Sequence, residues 1–131
     1  MLYLVGNTDM SEVKCNGVIV VVDDEEDIRE LLRRVLEKRG YKVATAEDGV
    51  AALELMHATP TICFVITDIS MPRKDGLALL ADMASSPALA NLPICVSTSA
   101  PHLAPSGVTL LPKPVDLGKL LALIETHTCH N

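Results

Sequence analysis

Val65-Ile66-Thr67-Asp68-Ile69-Ser70-Met71-Pro72 is the stretch that decides the fold of this chain. An apolar, β-branched run reads as a strand buried on both faces. It ends on an acid, and Pro72 and Gly76 follow within eight residues. In an open parallel α/β sheet, ligands bind outside the carboxyl ends of the strands. Asp68 therefore stands where chemistry happens, and the remaining sequence is read for what converges on it.

Upstream, Val18-Ile19-Val20-Val21-Val22 is a second continuous apolar run, and it ends in Asp23-Asp24-Glu25-Glu26-Asp27. Ile28, Leu31, Leu32, Val35 and Leu36 then recur at helical spacing, giving one apolar stripe. Acids crowd the start of that helix and Arg33, Arg34, Lys38 and Arg39 crowd its end, as the macrodipole favours, before Gly40 stops it. Residues 41–46 alternate more, as suits a strand nearer a sheet edge. A helix from Asp48 to Ala58 stops at Thr59-Pro60, and the strand at 62–67 leads to Asp68. A helix opening at Asp75-Gly76 fades at Ser85-Ser86-Pro87. Strands at 93–97 and 108–111 follow, and Asp116 caps a last helix carrying Leu117, Leu120, Leu121 and Ile124. Strands alternating with helices mean βαβ units, and right-handed crossovers place helices on both faces of a parallel sheet.

One unit breaks the alternation. Between Thr98 and Lys113 the segment Ser99–Gly107 carries Pro101, Pro105 and Gly107. Proline inside a helix costs about 3 kcal/mol, so at most about one turn fits and the fourth helix is expected to be short or absent.

Asp23-Asp24, Asp68, Thr98 and Lys113 each terminate a different strand, so a parallel sheet brings all of them to one edge. Three carboxylates in one pocket raise one another's pKa unless a cation sits among them, and hard oxygen ligands with open positions suit Mg²⁺. Asp68 can then stay ionised as a nucleophile towards phosphorus, with Lys113 as a compact positive charge and Thr98 as a hydroxyl donor to the incoming phosphoryl group. Singly, each residue has an ordinary reading: Asp23-Asp24 as helix caps, Asp68 as a turn residue, Thr98 as a strand-end hydroxyl, Lys113 as a surface lysine. Four strand ends in register with an Asp-Gly and a Lys-Pro argue for a site that forms an acyl phosphate on Asp68.

The pattern VVVDDE, TDISMPRKDG, PICVST and LPKP resembles the receiver domain of two-component response regulators over nearly the whole chain, from about Val18 to Ile124. The resemblance implies a flavodoxin-like (CheY-like) doubly wound α/β fold of five parallel strands in the order 2-1-3-4-5, with Mg²⁺ (Mn²⁺ a possible substitute) and a phosphorylated aspartate. By position, Asp68 matches the phosphoacceptor, Asp24 the direct acidic metal ligand and Asp23 the second acid. Ser70 falls where the family uses a backbone carbonyl as a metal ligand. Thr98 and Lys113 match the phosphoryl contacts, and Pro114 matches a proline whose peptide bond is typically cis. The implied partners are a histidine kinase or histidine phosphotransfer protein as donor and a protein effector downstream. Two departures stand out: Leu110 occupies a position usually aromatic, and the helix that helps form the usual signalling face is the one lost. The segment Ser99–Gly107 or the last helix is therefore expected to carry the readout.

A formal net charge of −6 argues against nucleic acid as a direct partner. The longest apolar runs are far short of the roughly 18 residues of a membrane span, and Met1–Val5 lacks the basic and apolar regions of a signal peptide, so a cytoplasmic protein is expected. Residues 1–16 have no periodicity and read as an irregular extension to a receiver domain at 17–127, with Met10 resembling a natural start. Cys15, Cys63, Cys95 and Cys129 show no metal-ligand spacing; Cys63 and Cys95 are expected to pack as small apolar side chains, and residues 128–131 to fray. A stand-alone receiver is the expectation. Its rivals are a receiver-like binding module that never cycles and an aspartyl-phosphate phosphohydrolase. The hydrolase is disfavoured because Ser70, not a general acid, stands two residues past Asp68.

Overall fold

The structure is a computed structural model and describes residues 17–128. Residues 1–16, read from the sequence as an extension, and the end of the chain from Cys129 lie outside the described residues. Five strands, β1 (Val18–Val22), β2 (Lys42–Ala46), β3 (Ile62–Thr67), β4 (Ile94–Thr98) and β5 (Thr109–Pro112), alternate with four helices, α1 (Glu26–Lys38), α2 (Gly49–Ala58), α3 (Gly76–Ala84) and α4 (Leu117–Thr128). All strand pairs are parallel and the sheet order is β2-β1-β3-β4-β5. That is the doubly wound order 2-1-3-4-5 expected from the resemblance. The last helix reaches Thr128, one residue into the stretch read as frayed.

Because side chains alternate across a strand, the central strands feed two cores. Ile19, Val21, Phe64 and Ile66 pack with Leu32 and Leu36 of α1 and Leu120 and Ile124 of α4. Val20, Val22 and Val65 pack on the other face with Ala52 and Met56 of α2 and Leu79 and Met83 of α3. Cys95 is a buried free thiol in the first core. Cys63 packs against the same core, as expected, but as a disulfide-bonded half-cystine rather than a free thiol.

Where a fourth crossover helix would lie, the chain makes a single 3₁₀ turn, Pro101–Leu103, as the two prolines dictate. Local chemistry sets the other element ends. Asp48 caps α2 by accepting from the Ala51 N–H, Asp75 caps α3 through the Ala78 N–H, and Asp116 accepts from the Lys119 N–H at the start of α4. Gly40, at φ +91°, turns the chain after α1.

Candidate functional site

β1 delivers Asp23 to the carboxyl edge of the sheet, where its side chain is almost wholly enclosed and its Oδ1 accepts the Glu25 N–H at 2.9 Å. Its backbone is fixed from both sides: its N–H donates to the Ala46 carbonyl at the end of β2, and its carbonyl accepts from the Arg29 guanidinium. β3 delivers Asp68, held by its N–H on the Val22 carbonyl and by the Ile69 N–H donating to Oδ1 at 2.6 Å. Asp24 is exposed at the rim. One carboxylate oxygen from each of Asp23, Asp24 and Asp68 lies within 4.8 Å of the others, a spacing that suits one hard cation.

Lys113 reaches in from the end of β5. Its Nζ stands 2.7 Å from Asp23 Oδ2 and 3.0 Å from Asp68 Oδ2, with Glu25 Oε1 at 3.5 Å. The Lys113–Pro114 peptide bond is cis. Burial disfavours the ammonium, but hydrogen bonds to Asp23 and Asp68 outweigh it and hold the Lys113 pKa above the ordinary lysine value. Burial pushes the Asp23 carboxyl above the usual carboxylate range, with Asp68 adding to the rise and Lys113 and the Glu25 N–H opposing it.

Thr98, buried at the end of β4, uses Oγ1 to accept the Ala100 N–H at 3.0 Å, and its carbonyl accepts the Lys113 N–H. Direct side-chain contacts therefore join Asp23, Asp68 and Lys113, while Thr98 joins them through the backbone of Lys113. Ser70 is exposed at the start of the loop that follows Asp68. That loop closes tightly. The Gly76 N–H donates to the Ile69 carbonyl at 2.7 Å, and a Cβ on Gly76 would lie 2.1 Å from the Asp68 carbonyl oxygen. Only glycine allows that approach.

Three features of the site escaped sequence reasoning. Glu25 is a third carboxylate near Lys113, hidden in a run of five acids. Arg29 grips the Asp23 carbonyl from the first turn of α1. Arg73, at φ +65°, donates to Asp48 from Nε at 2.6 Å and from a terminal nitrogen at 3.2 Å, tying the loop after Asp68 to the start of α2. A helix-cap aspartate is visible in sequence, but its pairing with a residue 25 positions away is not.

The sequence profile of the response regulator receiver domain matches residues 19–125. The chain is 40% identical over 111 residues to the response regulator MprA of Mycobacterium sp. (strain KMS), covering 79% of this chain and 47% of that protein. It spans about half the length of that relative. A response regulator receiver protein from Pseudomonas putida superposes with a TM-score of 0.75 at 34% identity, covering 87% of this chain and 99% of that one. The response regulator protein TrrA of Thermotoga maritima, solved in complex with Mg²⁺–BeF, superposes with a TM-score of 0.75 at 29% identity, covering 84% of this chain and 97% of that one.

Proposed function

Because the chain belongs to the response regulator receiver domain family of two-component systems, we propose that it accepts a phosphoryl group on Asp68 from a histidine kinase or histidine phosphotransfer protein. The observation that carries this reading is the convergence of three strand ends on one cationic contact: Lys113 Nζ within 3.0 Å of both Asp23 and Asp68. A lysine so held marks the place where a phosphoryl group and its counter-charges would sit.

Asp23, Asp24 and Asp68 would hold Mg²⁺, or Mn²⁺ in its stead, together with the Ser70 carbonyl. When bound, the cation neutralises charge on the carboxylates and on the transferring phosphoryl oxygens. A carboxylate oxygen of Asp68 attacks phosphorus, the phosphorus–nitrogen bond to the donor imidazole breaks, and the imidazole leaves with the bonding pair. The product is an acyl phosphate. The Ile69 N–H on Oδ1 and the Val22 carbonyl on the Asp68 N–H fix the nucleophile beforehand, so little reorganisation is needed. Lys113 keeps its proton throughout and shifts its contacts from the acids to the phosphoryl oxygens.

Thr98 would donate its hydroxyl to a phosphoryl oxygen. Its Oγ1 already accepts the Ala100 N–H, the entry to the Ser99–Gly107 loop, so turning the hydroxyl inward pulls on that loop. With Leu110 half-buried where an aromatic usually stands, this loop or the last helix passes the signal to a protein effector in the cytoplasm. Among the described residues no helix is long and apolar enough to cross a membrane.

Incubation with Mg²⁺ and acetyl phosphate, followed by intact mass, tests the reading. The wild type should gain one phosphoryl group and Asp68→Asn none. No adduct on the wild type would favour a binding module that never cycles. Sustained phosphate release without a lasting adduct would favour a phosphohydrolase.

A further inference from the structure

The loop 70–75, which follows Asp68, is anchored outside the acidic pocket. Arg73 sits at φ +65°, a conformation that side chains rarely adopt, and two of its guanidinium nitrogens grip Asp48. A non-glycine residue persists there only when its surroundings over-determine it. Asp48 is only 2% exposed and caps α2. Next to it, the Gly49 N–H donates to the Lys74 carbonyl at 2.9 Å, and a Cβ on Gly49 would lie 2.6 Å from that oxygen. Two residues before Asp48, the Ala46 carbonyl accepts the Asp23 N–H. The end of β2 and the start of α2 thus touch both walls of the pocket: the Asp23 backbone through Ala46, and the loop carrying Ser70 through Asp48 and Gly49.

We infer that Arg73 and Asp48 are positioning residues for the divalent cation, a latch that sets the loop carrying the Ser70 carbonyl against the carboxylates. This rests on the proposed function, since the cation is part of that reading. Neither side chain reaches the acids; both act through the backbone of 70–75. Residues that orient metal ligands commonly cost about 10-fold or more in affinity when changed.

Arg73→Gly separates the latch from the backbone it holds, because glycine adopts a positive φ freely. Asp48→Asn keeps the helix cap, since asparagine caps as well as aspartate, but gives up the charge. Mg²⁺ affinity is measured by calorimetric titration, and hydrogen exchange at the Gly49 N–H is followed without metal. Both variants should bind Mg²⁺ about 10-fold more weakly than wild type. The Gly49 amide should lose protection in both, with the central-strand amides still protected. The double variant should be no weaker than either single one, because one contact is being removed. Variants that bind Mg²⁺ as tightly as wild type would overturn the latch and leave the function standing. Lost affinity with Gly49 protection unchanged would also overturn it. A wild type with no saturable Mg²⁺ binding would overturn the function itself, and the latch with it.

Discussion

Replacing Lys113 with methionine keeps most of the side chain's bulk and removes its charge. In the metal-free protein this takes the ammonium away from Asp23 Oδ2 at 2.7 Å and Asp68 Oδ2 at 3.0 Å, side chains only 4% and 10% exposed. At an effective dielectric near 20, one contact at ~3 Å is worth about 5 kcal/mol before desolvation. Desolvation cancels much of that, and breaking a fully buried pair costs about 3–5 kcal/mol. The exposed rim at Asp24 admits water, so about 2–3 kcal/mol is expected. For a chain of this size that lowers Tm by roughly 6–12 °C. The pH dependence has a definite sign. Burial already raises the Asp23 pKa, so the folded protein binds a proton more readily than the unfolded chain there. The resulting cost is present above the folded pKa and relieved as pH falls through it. Without Lys113 the rise grows, so the variant's deficit should be largest near neutrality and shrink in mild acid. Mg²⁺, which would replace the missing positive charge, should raise the variant's Tm more than the wild type's. Thermal unfolding followed by circular dichroism, in EDTA and in Mg²⁺, from about pH 8 to about pH 5, reads all three effects. Equal stability of the two proteins in EDTA, or a deficit that widens in acid, would refute the reasoning.

Gly76→Ala should cost about 3 kcal/mol and abolish phosphorylation, because its Cβ would meet the backbone of Asp68 and Ile69, which cannot give way; urea unfolding and intact mass check the two parts. Asp48→Asn should lower stability at neutral pH, and its difference from wild type should vanish in strong acid. Arg73 and the Ala51 N–H hold the Asp48 carboxyl below its ordinary value, so its contribution is present above the unfolded carboxylate pKa and lost as pH falls through the folded one. Urea unfolding at a series of pH values measures that loss. Burial pushes the Cys95 thiol up to about 12. At about pH 8 roughly one thiol in ten thousand is ionised, so Cys95 should resist iodoacetamide in the native protein and react once unfolded, read by peptide mass mapping.

The fold is legible because the two central strands of its sheet are near-continuous apolar runs. Val18–Val22 and Ile62–Thr67 have no polar period, which only a strand covered on both faces permits, and each runs straight into an acid. The missing crossover helix is legible for the same local reason, two prolines in nine residues. Strand ends shift by a residue where the boundary is set by a partner. Thr98 belongs to β4 because its carbonyl accepts the Lys113 N–H, a pairing no local pattern announces. The edge positions of Asp23, Asp68, Thr98 and Lys113 follow from topology, which periodicity can supply. Their supports do not: Arg29 on the Asp23 carbonyl and Arg73 on Asp48 depend on how helices and loops dock. Arg73 is the hardest to foresee, since a left-handed residue is usually marked by glycine and here the mark is absent.

The bare crossover between β4 and β5 also makes this molecule an engineering host. Neither core draws a residue from 99–107, so that segment can be lengthened without disturbing the packing that holds the sheet together. Its first turn is tethered to Thr98 through the Ala100 N–H. A fluorophore or short peptide inserted beyond Leu103 would sit a few residues from the hydroxyl proposed to feel the phosphoryl group, which turns a shortened loop into the natural place to attach an optical reporter.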